Sequence, residues 1–400
     1  MIPYAKQDII KEDIDAVIEV LNSAWLTQGP VVKKFEDSII DFTGAKYATA
    51  VNSATSALHI ACLAMNVGPG DLVWTSPNTF VASANCALYC GANIDFVDID
   101  PQTYNMSIES LKKKLKNAEK NNKLPKVVIP VHFAGQPCDM AEIYNLSKKY
   151  NFKIIEDASH AIGASYNFAE ENPKNLTEKS IQKIKIGSCK HSDITVFSFH
   201  PVKIITTGEG GMAMTNDQNL DARMKLFRSH GVTRDEKFMT RPSDGAWYYQ
   251  QIDLGYNYRM SDIQAAIGFQ QTKRINKYVS RRHNIAECYD KSFQDVPINI
   301  PWQLPNTYSS YHLYVVTLDE SINFEQHSKI FNVLRANGIG VNLHYIPVHT
   351  HPYFKSLGFK KGDFPVSENY YKRAISLPMY PTLLDVEQDL VIKSIKEYFK

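Results

Sequence analysis

Seven short apolar runs divide the first 260 residues of this chain, at Tyr47 to Val51, Leu72 to Thr75, Ile94 to Ile99, Val127 to Val131, Lys153 to Glu156, Ile194 to Phe199 and Gly211 to Thr215. A loop or a helix-length segment separates each from the next. That is the pattern of a mostly parallel sheet with helices on both faces, an α/β fold. Ahead of it, Ile14, Val17, Ile18 and Leu21 recur at helical spacing, as do Val32, Phe35, Ile39 and Phe42 before Gly44, a helix stop. Both segments read as amphipathic helices.

From Ser261 to about Asp295 the pattern is helical, until Pro297, Pro301 and Pro305 break it. The expected division is a large domain over 1–260, connecting helices over 261–305 and a small C-terminal α+β domain over 306–400. The last should hold a strand at His312 to Leu318, a helix near Phe324 to Asn337, a strand led in by Gly338-Ile339-Gly340, and a terminal helix.

Composition matters here for what it excludes. Lys and Arg number 44 against 42 for Asp and Glu, a net charge of +2, so nothing electrostatic favours a nucleic-acid or membrane partner. Any anionic ligand must be held by local groups. The lysines between Lys112 and Lys126 read as a solvated helix face and loop rather than a basic patch. Six cysteines without a Cys-x-x-Cys pair argue against a zinc ribbon or a disulfide framework and fit a reducing cytoplasm. The opening residues lack an apolar signal core, and no apolar run reaches membrane-spanning length, so a cytoplasmic protein is expected.

Ligands of an open α/β sheet sit outside the carboxyl ends of its strands. Four places there carry polar residues. Val51-Asn52-Ser53-Ala54-Thr55-Ser56 ends a strand and opens a helix with small hydroxyl residues, which suits a phosphate or, equally, ordinary N-capping. Ile155-Glu156-Asp157-Ala158-Ser159-His160 ends a strand in two acids. Asp157 can bond a protonated ring nitrogen or cap the next helix, and His160 is either catalytic or merely packed.

In the third, Ser198 to Lys203, Val202, Ile204 and Ile205 surround Lys203; a desolvated lysine loses its charge and becomes a nucleophilic amine. The alternative is one more surface lysine. Gly208-Glu209-Gly210-Gly211 lacks the Lys and Ser/Thr of a nucleotide-triphosphate loop. The fourth, Ser76-Pro77-Asn78-Thr79-Phe80, offers an aromatic for stacking or for the core. His344, His349 and His351 match no standard zinc spacing, so no metal is expected, and no cysteine has an activating context.

Taken in order, these places resemble the DegT-type sugar aminotransferases, which have the aspartate-aminotransferase-like fold (fold type I) and use pyridoxal 5'-phosphate (PLP). The resemblance runs over nearly the whole chain and also includes Ile2-Pro3-Tyr4, Leu26-Thr27-Gln28-Gly29, Arg228-Ser229-His230-Gly231, Gly255-Tyr256-Asn257-Tyr258-Arg259-Met260 and Ser376-Leu377-Pro378. It implies that Lys203 is the Schiff-base lysine and proton shuttle, and that Asp157 holds the pyridine nitrogen protonated. Phe80 then stacks on the ring, and Ser53, Ala54, Thr55 and Ser198 cradle the phosphate, with Asn257 reaching it across a homodimer interface so that two subunits share each site.

Within the family, with His160 where many relatives carry Gln, the stretches Asn52 to Leu58, Asp157 to Ala161, Phe197 to Lys203 and Phe227 to Gly231 together with His344-Tyr345 are similar to enzymes of pseudaminic-acid biosynthesis. Those transfer an amino group from L-glutamate to carbon 4 of a UDP-linked 4-keto-6-deoxy-N-acetyl-hexosamine. The likeness implies a cofactor and catalytic role for His160, and a nucleotide-sugar site lined by Tyr4, Ala24, Trp25, Leu26, Thr27, Ala54, Ser198, Asn257, His344, Tyr345, Ile346 and Pro347. Sibling enzymes on other UDP- or dTDP-keto sugars, a non-catalytic binding protein and a sugar dehydratase are the alternatives; the dehydratases typically carry His at the lysine position. Two stretches depart from the family pattern, a charged surface loop expected over 167–185 and an extension over 238–250.

Overall fold

The computed structural model describes residues 1–169 and 181–400. Each of the seven apolar runs forms a strand: β1 (Tyr47–Val51), β2 (Leu72–Thr75), β3 (Asn93–Phe96), β4 (Val127–Ile129), β5 (Lys153–Asp157), β8 (Ile194–Ser198) and β9 (Gly211–Thr215). A hairpin of β6 (Ser165–Ala169) and β7 (Ile181–Lys185) stands apart from them. The seven strands make one sheet in the order β1-β9-β8-β5-β4-β2-β3. Its strands are parallel except β9, which runs antiparallel to both neighbours. The β4 strand stops at Ile129, short of the apolar run, because Pro130 has no N–H to continue a ladder.

The runs are continuously apolar because both faces of the sheet are covered. Trp74, Val128, Ile154 and Phe197 enter one core, while their neighbours Val73, Ile129, Ile155 and Val196 enter the other. The second core is closed by α3 (Ala54–Ala64) and α4 (Ala82–Tyr89). Alternation along β5 therefore sends Asp157 to the α3–α4 side and Glu156 to the opposite one. There the buried Glu156 accepts bonds from His132 at 2.7 Å, from Thr195 at 2.7 Å and from Ser192. Burial alone would raise its pKa, but these partners outweigh it and leave the carboxyl below its ordinary value.

Helices α1 (Lys11–Leu21) and α2 (Pro30–Thr43) form as expected, but α1 is turned around. Its Ile14, Ile18 and Leu21 lie about half exposed, while Asp13, Ala16 and Val20 face inward. The Asp13 carboxylate fixes this: it accepts two bonds from Arg274, at 2.6 and 2.8 Å, and one from Gln271 at 3.2 Å. A buried carboxylate with both oxygens held by the Nη2 of one guanidinium outranks a stripe of isoleucines that still has water or a partner to face. Asp262, at the start of α8 (Asp262–Thr272), takes the N–H groups of Gly29 and Val31 and so caps α2.

Past α9 (Ile275–Ser292), a second sheet joins Ile298–Asn299, Tyr314–Leu318 and Ala374–Leu377, flanked by helices Phe324–Ala336 and Asp385–Tyr398. The strand expected after Gly340 does not form. Only single bridges occur there, Ile2 with Ile339 and Asn342 with Ser376, because the N-terminus inserts beside this segment. The surface loop expected over 167–185 is corrected too: its described ends pair as β6 and β7, and residues 170–180 lie outside the described residues. Among the described residues no helix is long and apolar enough to cross a membrane.

Candidate active site

The carboxyl ends of β1, β2, β5 and β8 open on one cavity of about 400 Å³. At β1 the chain turns into α3, where Ser53 caps the helix by accepting the N–H of Ser56 at 3.1 Å. Ala54 and Thr55 at the first turn line the cavity with Ser198 from β8. This helix start presses on β9: a Cβ at Gly211 would come within 2.5 Å of Ala54 N. Unpaired N–H groups and hydroxyls gathered at a helix start suit a phosphate.

Asp157 ends β5 inside the cavity wall. Its Oδ2 accepts from the Ser83 hydroxyl at 2.6 Å, and its Oδ1 accepts from the Ser159 hydroxyl at 2.6 Å and the Ser159 N–H at 3.1 Å. Donors on both oxygens stabilise a carboxylate and fix its plane. Ser159 was within reach of the sequence, two residues on from the acid. Ser83, 74 residues away on α4, left no local signal.

Beyond β8 the chain makes a tight turn, Lys203 N–H to His200 O at 2.9 Å, with Ile204 and Ile205 buried beneath it. That anchors the half-buried Lys203 against the cavity. Burial pushes its ammonium down to about 8, against the opposing pull of Asp157. Among the described residues it has no salt-bridge partner. At neutral pH the ammonium still predominates, but the free amine is far commoner than in an ordinary lysine.

The opposite wall is a set of uncharged rings. His160 accepts the Ala134 N–H on Nδ1 at 3.3 Å, which leaves its Nε2–H to the Tyr345 hydroxyl at 3.1 Å. Burial, then Lys203 and His344, drives its pKa well below the ordinary value. His344 bonds Ser376 Oγ at 2.8 Å and is pushed down to about 3 by burial and then by Lys203. Tyr345 N–H donates to Asn78 Oδ1 at 3.2 Å. Tyr4 and Phe80 complete the mouth, Phe80 with its ring about 6.3 Å from that of Tyr345.

Eleven of the residues singled out in the sequence thus meet: Tyr4, Ser53, Ala54, Thr55, Phe80, Asp157, His160, Ser198, Lys203, His344 and Tyr345. Ala24, Trp25, Leu26, Thr27, Asn257, Ile346 and Pro347 do not line the cavity in the single chain. Residues 24–27 and Asn257 are exposed. Of the other two histidines weighed as metal ligands, His349 pairs with Glu368 at 2.9 Å. The cavity also takes in His312, expected only as the start of a strand, and Glu209, expected only as part of a glycine-rich turn.

A lysine whose charged form is disfavoured by burial, a held carboxylate and a phosphate cradle in one cavity equip the chain for amine chemistry on a phosphorylated aldehyde cofactor. Comparison with known proteins agrees. Residues 7–396 match the profile of the DegT/DnrJ/EryC1/StrS aminotransferase family. The spore coat polysaccharide biosynthesis protein SpsC of Bacillus subtilis is 38% identical, covering 100% of this chain and 97% of SpsC. The UDP-4-amino-4,6-dideoxy-N-acetyl-beta-L-altrosamine transaminase of Campylobacter jejuni is 36% identical, covering 95% of this chain and 93% of that one. Among solved structures, Helicobacter pylori PseC, an aminotransferase involved in the biosynthesis of pseudaminic acid, superposes with a TM-score of 0.86 at 31% identity, covering 100% and 99% of the two chains. Another structural neighbour, matched over 99% of this chain, has been solved in PLP and pyridoxamine-phosphate forms.

Proposed function

The chain belongs to the DegT/DnrJ/EryC1/StrS aminotransferase family, and from that premise we propose that it moves the amino group of L-glutamate to carbon 4 of a UDP-linked 4-keto-6-deoxy-N-acetyl-hexosamine. The product is UDP-4-amino-4,6-dideoxy-N-acetyl-β-L-altrosamine. That it is a PLP-dependent sugar aminotransferase follows from the family and its structural neighbours. The named substrate rests on the C. jejuni relative together with His160, His344 and Tyr345 standing at one cavity with Lys203.

The residues present fit the cofactor: free N–H ends and hydroxyls for the phosphate, a fixed carboxylate for the ring nitrogen, an amine for the aldehyde. Bound there, PLP supplies an electron sink for the pair released when a carbon acid next to the amine loses its proton. Lys203 Nζ takes the proton from Cα of glutamate and, in the second half of the cycle, delivers one to carbon 4 of the sugar. Asp157 would hold the ring-nitrogen proton, Ala54, Thr55 and Ser198 would hold the phosphate, and Phe80 would pack on the ring. His160, kept neutral, offers its Nε2–H without adding a positive charge that would compete with Lys203 for protons. Tyr4, His344 and Tyr345 receive the nucleotide sugar.

The working unit in this reading is a homodimer. Ile14, Ile18 and Leu21 of α1, Trp25 and Leu26 after it, and Trp247 and Leu254 in the 238–254 stretch are exposed apolar side chains. Apolar surface of this kind is covered by a second copy of the chain, which also gives Ala24 to Thr27 and Asn257 a neighbouring site to reach. Sedimentation velocity on the purified protein should give a particle of twice the 45.4 kDa chain mass; a monomer at micromolar concentration contradicts the shared site. All six cysteines are free, consistent with a cytoplasmic setting.

SpsC, slightly closer in identity than the C. jejuni enzyme, favours a second reading, in which a sibling keto sugar is the acceptor. Incubation with glutamate and a panel of UDP- and dTDP-linked 3-keto and 4-keto sugars, with product identification by NMR, separates the two. The UDP-4-keto-N-acetyl-hexosamine should be aminated fastest; faster amination of a dTDP sugar would overturn the named substrate and leave the aminotransferase assignment standing.

A further inference from the structure

Behind His160 lies a second imidazole that none of the assigned roles uses. His312 is 2% exposed, its ring 4.3 Å from that of His160, and it lines the cavity wall. Its Nδ1 is buried with no partner. An orphaned nitrogen at that depth is uncommon and asks for a reason. Since no hydrogen bond holds the ring, its backbone must.

That backbone is fastened from two sides. Arg282 on α9 is 1% exposed and has no acidic partner among the described residues; its Nη1 donates to the carbonyls of Tyr311 and His312 at 3.1 Å each and of Met379 at 2.9 Å. A buried guanidinium is costly to desolvate, and here three carbonyls near one ring offset that cost. From the other side, Ser310 N–H donates to Gly135 O at 3.0 Å, Leu313 N–H to Ala134 O at 3.2 Å, and the Ser310 hydroxyl to His160 O at 2.8 Å. Gly135 has φ 97°, and a Cβ there would meet Ser310 Oγ at 2.5 Å and His312 N at 2.9 Å. The same turn supplies the Ala134 N–H that fixes the His160 tautomer.

We propose that His312 is a positioning residue: its flat ring, on a backbone clamped by Arg282, packs on His160 and holds it in the one orientation that accepts the Ala134 N–H and donates Nε2–H to the Tyr345 hydroxyl at the cavity wall. Burial first, then His160, Lys203, Arg282 and His344, keeps the His312 imidazole neutral, so its contribution is shape and contact rather than charge. This deepens the aminotransferase reading and rests on it for the kinetic part only.

The test compares His312→Ala with His312→Phe, the latter restoring a flat ring without nitrogens. His312→Ala should lower kcat about ten- to a hundredfold, the range expected when a reacting group is misplaced by a fraction of an ångström to 1 Å, with KM for glutamate changed less than about threefold. His312→Phe should recover kcat to within about threefold of the parent. In cofactor-free protein labelled with ¹⁵N-histidine, His160 should show the single Nε2–H tautomer in the parent and in His312→Phe, and mixed or exchange-broadened signals in His312→Ala. Should the Ala variant not fold, His312→Val, which fills volume without a flat ring, takes its place. The proposal is overturned by an unchanged His160 tautomer in the Ala or Val variant, or by Ala and Phe variants that lose kcat alike. Failure of the parent to transaminate would instead sink the aminotransferase reading, and the tautomer measurement would still decide the role of His312.

Discussion

Lys203→Ala is expected to abolish amino transfer and, with it, the absorbance of lysine-bound PLP. Lys203 stands at a tight turn over buried Ile204 and Ile205, its pKa held near about 8 by burial. Among the described residues it is the only lysine lining the cavity, so none of these can take over the proton at Cα of glutamate. Losing a positioned general base costs about 10²- to 10⁴-fold, and losing the covalent anchor adds to that. The variant should still fold, because among the described residues the side chain makes no salt bridge whose loss would strand a partner. Turnover within tenfold of the parent would remove the basis of the assignment.

Asp157→Asn is the second large effect, and its character differs. The asparagine is nearly isosteric, and the hydroxyls of Ser83 and Ser159 can turn to donate or accept, so the fold and the phosphate cradle should survive. What goes is the charge. A hydrogen bond to a charged group contributes about 1.5–3 kcal/mol, which at about 1.4 kcal/mol per decade corresponds to roughly ten- to 150-fold. PLP should therefore bind while turnover falls by about two decades. Equilibrium titration with PLP alongside steady-state assays checks both halves. Full activity in the asparagine variant would show that the ring nitrogen does not need this carboxylate.

Much of this was legible in the chain because it is local. Asp157, Ser198 and Lys203 lie within a few residues of the ends of apolar strands, and strand ends are where an open sheet binds its ligand. The runs themselves announced a doubly covered sheet, which the two cores on either side of Ile154 and Ile155 explain. What was not legible depends on contacts far apart in sequence. The helical spacing of Ile14, Ile18 and Leu21 correctly indicates a helix, but it cannot say that Arg274, 261 residues from Asp13, claims the other face. Ser83 at Asp157 and Arg282 at the His312 carbonyl are of the same kind. The missing strand after Gly340 reflects competition from Ile2 at the opposite end of the chain. Ala24 to Thr27 and Asn257, drawn to the site by resemblance, stay outside the cavity of the single chain.

The most direct measurement mixes L-glutamate with the PLP-loaded protein, in the absence of any sugar, and follows the cofactor absorbance together with the 2-oxoglutarate formed. The parent should convert its cofactor to the amine form with one 2-oxoglutarate per site, and Lys203→Ala should do neither. A parent that binds PLP and glutamate but leaves the cofactor unchanged would contradict the account and mark the chain as a binding protein on an aminotransferase fold.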